Sequence, residues 1–165
     1  MSNFSFDIVS EVDKSEINNV FDQVQREMNK RYDFKNKMSS IEWLSDAKDG
    51  FKLIADSDMQ IDAIIEIIRK KLSSRNLSQK LINVDQENVT SGMNVTKIVP
   101  FVVGINKDQS KDLSSKIRNA FPKVKIAIIA ESLRISSSSK NELQAIIKLI
   151  RELDLDYPVQ INNFR

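Results

Sequence analysis

Six consecutive residues, Arg31-Tyr32-Asp33-Phe34-Lys35-Asn36, put two cations, a carboxylate and two aromatic rings into one short segment. That mixture suits a guanine base and its phosphates. Arginine grips phosphate or the guanine Hoogsteen edge bidentately, or stacks on the base, while a carboxylate accepts from the amino and imino edge and an aromatic ring offers a stacking platform. In such a site Arg31 and Lys35 meet phosphate or guanine, Asp33 reads a base edge and Phe34 stacks. The same residues also fit a structural role. Tyr32 continues the apolar periodicity of the residues before it, Phe34 suits the core at a helix exit, and Lys30, Arg31 and Lys35 complement the negative end of a helix dipole.

A second segment, Asp56-Ser57-Asp58-Met59-Gln60, stands where a strand-like run gives way to a helix-like one. Free N–H groups at a helix start hold anions, but the carboxylates flanking Ser57 oppose a phosphate there, and capping is its natural role. Asp56 and Asp58 would alternatively hold Mg²⁺ or a base edge, although two carboxylates two residues apart are a weak metal signal. Arg69-Lys70-Lys71 with Arg75 forms a basic cluster suited either to phosphate or to a helix C-terminus. Lys123 and Lys125 alternate with Val124, Ile126 and Ile128, and Arg134 alternates with Leu133 and Ile135. That spacing places three cations on the non-core face of one hairpin, with Lys140 following at the head of the next helix.

What the sequence lacks limits its chemistry further. Its 165 residues include no His and no Cys, which removes His-assisted Ser or Cys nucleophiles, His/Cys zinc sites, haem and iron–sulfur clusters. With Gly50, Gly92 and Gly104 as the only glycines, neither G-x-G-x-x-G nor a Walker-type phosphate loop can be written. An RNA-recognition motif needs stacking aromatics on its third strand, and Asp49-Gly50-Phe51-Lys52-Leu53 and Ser132-Leu133-Arg134-Ile135 do not supply them. The start, MSNFSFDIVSEVD, has no basic region followed by an apolar run, and Ile98–Ile105 is far short of a membrane span of about 20 residues. Most familiar enzyme chemistry is thereby excluded, and the expectation is a cytoplasmic protein with no membrane partner. Charge is uneven: residues 1–90 hold thirteen Lys and Arg against sixteen Asp and Glu, and residues 91–165 hold twelve against seven. The second half is therefore the better anion binder.

The elements that position these residues follow from periodicity. Ile17, Val20, Phe21, Val24 and Met28 mark one amphipathic helix, and Ile61, Ile64, Ile65, Ile68 and Leu72 a second. Leu113, Ile117, Ala120 and Phe121 mark a third, and Leu143, Ile146, Ile147, Ile150 and Leu153 a fourth. Each is preceded by a capping pair: Asp13 with Glu16, Ser57 with Gln60, Asn106 with Gln109, Ser139 with Glu142. Strand-like runs at 4–12, 39–44, 50–55, 81–84, 95–105, 123–130, 133–136 and 158–162 fill the intervals. The order β-α-β-β-α-β occurs twice, which predicts an α+β fold of two ferredoxin-like domains, each a four-stranded antiparallel sheet with two helices on one face.

With those motifs in place, the chain resembles the YajQ family of nucleotide-binding proteins over essentially its whole length. The residues that carry the resemblance include Ser5-Phe6-Asp7-Ile8-Val9-Ser10-Glu11-Val12-Asp13, the segment at Arg31, Ser57-Asp58-Met59-Gln60, Ser91-Gly92, Gly104-Ile105, Glu142-Leu143-Gln144-Ala145 and Asn163-Phe164-Arg165. The resemblance implies first strands exchanged between the domains, with 13–105 forming one and 1–12 plus 106–165 the other; the sequential alternative is 1–90 and 91–165. It also implies binding of a nucleotide or RNA, with cyclic di-GMP bound by an effector that acts through a transcription factor, and no enzymatic activity or cofactor; the alternative, resting on the basic second half, is general RNA binding such as a tRNA or ribosome contact. Transferred residue by residue, the nucleotide-binding set is Arg31, Asp33, Phe34, Lys35, Ser57 and Asp58, with Lys125, Arg134 and Lys140 adding attraction. Met93, Val102, Ala130 and Ser138 stand where the family pattern leads one to expect lysine or glycine.

Overall fold

The computed structural model describes residues 3–34 and 38–165, so Lys35 lies outside the described residues. Four helices form where the apolar periodicity places them: α1 (Lys14–Lys30), α2 (Asp58–Ser74), α3 (Lys107–Ala120) and α4 (Lys140–Glu152). All four start at the expected caps. Asp13 accepts from the Ser15 and Glu16 amides, Ser57 from Gln60, Asn106 from Gln109 and Ser139 from Glu142. Only Asn106 and Gln109 close the box in both directions; the Gln60 side chain is used elsewhere.

The strands are β1 (Phe4–Val9), β2 (Ser40–Trp43), β3 (Gly50–Ala55), β4 (Val89–Ser91), β5 (Asn94–Pro100), β6 (Lys125–Ile129), β7 (Ser132–Ser137) and β8 (Gln160–Asn162). They form two four-stranded antiparallel sheets, ordered β6-β7-β1-β8 and β2-β3-β5-β4. The fold class is thus α+β with two ferredoxin-like units. The chain divides into two compact units, Met1–Glu11 with Val103–Arg165 and Val12–Val102. In the first unit, Phe6, Ile8, Leu133 and Ile135 lie on one face of the sheet and are fully buried, whereas Asp7 and Arg134 share the opposite face. In the second, Phe51 is the hub of an aromatic group, with ring centroids 5.3 Å from Trp43 and 5.0 Å from Phe101. There α1 and α2 bury Ile17, Val20, Val24, Ile61, Ile64 and Ile68, and Arg75, just beyond α2, reaches Glu16 of α1 at 2.7 Å.

The fourth strand of the second unit departs from expectation. Residues 81–84 are not a strand: Gln79–Leu81 form a 3₁₀ turn, and Ile82 makes only an isolated bridge to Phe101. Leu81 and Ile82 are buried, which is why they read as a strand, but their place in the sheet is taken by β4. All three residues of β4 are exposed, so no alternation betrays it. Gly92, at φ 61°, starts the tight turn from β4 into β5. Similarly, β5 ends at Pro100, well before residue 105; beyond it the Phe101 N–H bonds to the Asp49 carbonyl and the Val102 N–H to the Leu81 carbonyl, outside the strands.

The two-residue turn between β6 and β7 holds Ala130 at φ 53°, in the left-handed region. Alanine loses about 1–2 kcal/mol there, while the extra unfolded-state freedom of glycine costs about 0.4–1, leaving a net gain of about 0.5–1 kcal/mol for Ala130→Gly. Thermal unfolding should show a midpoint raised by a few degrees; a lowered midpoint would mean the turn is unstrained.

Candidate functional site

The first candidate segment begins where α1 ends. Arg31 leaves helical geometry at ψ 136°, its N–H still bonded to the Glu27 carbonyl, and Tyr32–Phe34 then form one 3₁₀ turn closed by the Phe34 N–H and the Arg31 carbonyl. That turn selects the core alternative for Phe34 and turns Tyr32 away from the core that its periodicity suggests. Phe34 points into the core at 6% exposure, and Tyr32, which continued the helical periodicity, stands outside at 89%. Phe34 is therefore no stacking platform for a base. Its ring instead supports Arg31, whose guanidinium carbon lies 5.4 Å from the ring centroid.

The Asp33 carboxylate also turns onto Arg31, with Nε–Oδ1 3.0 Å and Nη2–Oδ2 2.7 Å. This forked contact raises the arginine pKa above its ordinary value, against the opposing effect of burial. Asp33 is thus an orienting group for Arg31 and does not stand open as a base reader. Two N–H groups of Arg31 are used; its other donors meet no protein acceptor among the described residues. A guanidinium held on one edge and one face, with donors to spare, can bind an anion or a planar acceptor edge without first being ordered.

The second segment joins the first through a residue that the sequence reading treated only as part of a cap. Gln60 is 7% exposed; its Oε1 accepts from Ser39 Oγ at 3.1 Å and the Asp56 N–H at 3.3 Å. Its Nε2 donates to the Asp33 carbonyl at 3.4 Å. One amide thereby ties the α1 exit to the start of α2. Ser57 is occupied as the α2 cap, and Asp58 Oδ1 accepts from Asn88 Nδ2 at 2.9 Å. Asn88 in turn accepts from Lys97, a lysine only 8% exposed that also donates to the Gln86 carbonyl. Arg31, Asp33, Ser57 and Asp58 therefore belong to one linked set, flanked by the exposed side chains of Tyr32 and Met59.

Lys125, Arg134 and Lys140 lie in the other unit. Lys125 and Lys140 are exposed. Arg134 is committed to Asp7, with Nε–Oδ1 2.9 Å and Nη2–Oδ2 3.4 Å, and Asn163 Nδ2 donates to the same carboxylate at 2.8 Å. Hydrogen bonding from Arg134 first, and from Asn163, holds the Asp7 carboxyl below the usual carboxylate range despite burial. A cleft of about 290 Å³ opens beside this pair, lined among others by Asp7, Ser10, Glu131, Asn162 and Asn163. None of the three cations lines it. Counted on the units, the charges are eleven Lys and Arg against nine Asp and Glu in the first, and fourteen against fourteen in the second. Among the described residues no group of three or more His, Cys, Asp or Glu could hold a metal ion, and no helix is long and apolar enough to cross a membrane.

Tandem ferredoxin-like units, one of them carrying an oriented guanidinium beside an exposed tyrosine, define the class of protein. Residues 4–165 match the family described as nucleotide-binding protein YajQ-like, and the chain belongs to that family. A nucleotide-binding protein of Prochlorococcus marinus is similar to it, 38% identical over 164 residues, covering 98% of this chain and 98% of that protein. Another, of Synechococcus elongatus, is 34% identical over 161 residues, covering 98% of this chain and 97% of the relative.

Gln60→Leu would remove the side-chain hydrogen bonds that tie Ser39, the Asp56 N–H and the α1 exit to α2, so urea unfolding should show a loss of about 1–3 kcal/mol; an unchanged midpoint would mean that Gln60 does not join the segments. Asp7→Asn should lower the thermal midpoint by several degrees at neutral pH. Because the folded carboxyl titrates below its unfolded value, its contribution is complete above the ordinary carboxylate range and is lost as pH falls through the folded pKa. The gap between the two proteins should therefore close below about pH 4, and a gap independent of pH would contradict this assignment.

Proposed function

We propose that this chain is a non-catalytic nucleotide-binding protein whose site is the junction of the α1 exit and the α2 start. The observation that carries the reading is Arg31, fixed by Asp33 and Phe34 with donors left over, beside a tyrosine that is 89% exposed. Its chemistry suits a phosphate oxygen or the O6/N7 edge of guanine, with Tyr32 in place of Phe34 as the stacking ring. Lys35 belongs to the same segment and adds a further cation to the proposal. The names of the relatives, nucleotide-binding proteins, support the same class of ligand. Cyclic di-GMP, which offers guanine edges and phosphates together, is the ligand to try first, and an effector role through a transcription factor in the cytoplasm follows from that choice. Lys125 and Lys140 would contribute long-range attraction only, and Arg134, neutralised by Asp7, little of that.

Calorimetric titration with cyclic di-GMP and with GTP tests the site. Micromolar binding is expected, weakened by about tenfold or more in Arg31→Ala and in Tyr32→Ala, a loss of about 1.4 kcal/mol or more. Phe34→Ala should mainly lower stability, by about 3–5 kcal/mol. Binding that is unchanged in Arg31→Ala would remove the site from this junction. Silence with both nucleotides, together with tRNA binding that falls steeply with salt, would replace this reading with general RNA binding.

A further inference from the structure

The outer edge of the first unit's sheet is β6, and it is built differently from the other sheet edges. Strands β4 and β8 have three residues each, and β2 has four with the exposed charge of Glu42 among them. Such short or charged edges resist pairing with another chain. By contrast β6 has five residues, Lys-Ile-Ala-Ile-Ile, with Ile128 53% and Ile129 44% exposed. Ile126 and Ile128 pair with Ile135 and Leu133, so they lie on the core face of the sheet, yet Ile128 is left uncovered.

The hairpin geometry says which backbone groups are free. A two-residue turn makes Ile129 and Ser132 the first hydrogen-bonded pair, so Ala127 and Lys125 also bond toward β7. The N–H and C=O groups of Ile126 and Ile128 point outward, and neither has a backbone partner among the described residues.

We infer that β6 is a self-pairing edge, joining two copies of this chain in antiparallel register about a two-fold axis through Ala127. In that register Ile126 of one copy exchanges both backbone hydrogen bonds with Ile128 of the other, and all five residues of the strand are paired. It also brings Lys123 level with Glu131 of the second copy, once at each end. Neither side chain is held in an ion pair or side-chain hydrogen bond among the described residues, and Lys125 stands diagonally across from the same carboxylate. Shifting the register by two residues toward the strand start sets Lys125 against Ala127 and loses the charge match; shifting it the other way shortens the overlap. The uncovered isoleucines then extend one core into the next, and a two-fold interface of this kind uses the same patch on both copies. Its small area makes it a weak contact that forms at high concentration.

The absence of cysteine allows a direct test on the full chain. Ala127 meets its own copy as a non-hydrogen-bonded pair, with Cα atoms about 4.5 Å apart and within disulfide reach, whereas Lys125 and its copy lie about 14 Å apart. Under mild oxidation Ala127→Cys should form disulfide-linked dimer at least about tenfold faster than Lys125→Cys, and sedimentation of the unmodified chain should show a reversible dimer as concentration rises. Ile128→Pro removes an outward N–H that β7 does not use, so it should abolish the dimer while leaving the sheet folded. Should that variant misfold, Lys123→Glu should weaken the dimer and Lys123→Glu with Glu131→Lys should restore it. A chain that stays monomeric at the highest concentrations, with both cysteine variants linking equally slowly, overturns the inference; so does a dimer that survives both Ile128→Pro and Lys123→Glu.

Discussion

The carboxylate of Asp7 is where the first unit's sheet is held in register. It lies on β1, and its partners are Arg134 on β7 and Asn163 just beyond β8, residues 127 and 156 positions away. A carboxylate that is 7% exposed must be paired or neutralised, and only one alignment of the three strands supplies both donors. A slip by one residue would turn Asp7 into the core and bring Phe6 and Ile8 out to the opposite face. Apolar burial supplies the bulk of the driving force, while this polar contact selects among the pairings that burial alone would accept. The reciprocal backbone pair of Ser5 with Arg165 and the parallel rings of Phe6 and Phe164, 6.2 Å apart, continue the same closure at the chain's end. Pairings this distant in sequence make closing the sheet a costly step in folding.

The second unit uses polar contacts for a different purpose. Phe34 and Asp33 belong to one 3₁₀ turn, yet one faces the core and the other the surface, and both converge on Arg31. Gln60 then secures the turn from beneath through its main chain, leaving the side chains of Arg31 and Tyr32 at the surface. The arrangement orients the Arg31 guanidinium through Asp33 and Phe34 before any ligand arrives, which would reduce the ordering cost of binding there.

The sequence made some of this readable and concealed the rest for identifiable reasons. Helix starts were legible because a cap and its helix are neighbours in the chain: Asp13, Ser57, Asn106 and Ser139 all act where they stand. The helical cores and the two ferredoxin-like repeats were legible from periodicity. Tyr32 departs from its apolar periodicity because the helix ends two residues before it, after which the 3.6-residue period no longer predicts direction, while Phe34 takes the core place that was one of its two readings. The β4 strand was hidden by full exposure and the false strand at 81–84 was suggested by burial, since alternation reports burial and not hydrogen bonding. The partners of Asp7, Arg134 and Gln60 are long-range, and no local pattern contains them.

Charge shows the same limit with a functional consequence. Taken as a sequential half, residues 91–165 carry a net charge of five, enough to suggest a surface that tracks phosphates. In the folded unit that stretch gives up Lys97, which is buried against Gln86 and Asn88, and gains Asp7 and Glu11, leaving a net charge of two. Arg134 is then neutralised locally by Asp7. Nonspecific nucleic-acid affinity depends on the number of phosphates that free cations can neutralise, so each of these changes weakens a phosphate-tracking surface. The binding proposed at Arg31 would have no such dependence, because it would rely on one oriented guanidinium and an adjacent ring and not on summed charge. The folded distribution of charge therefore lends more support to that proposal than to its alternative of an extended polyanion.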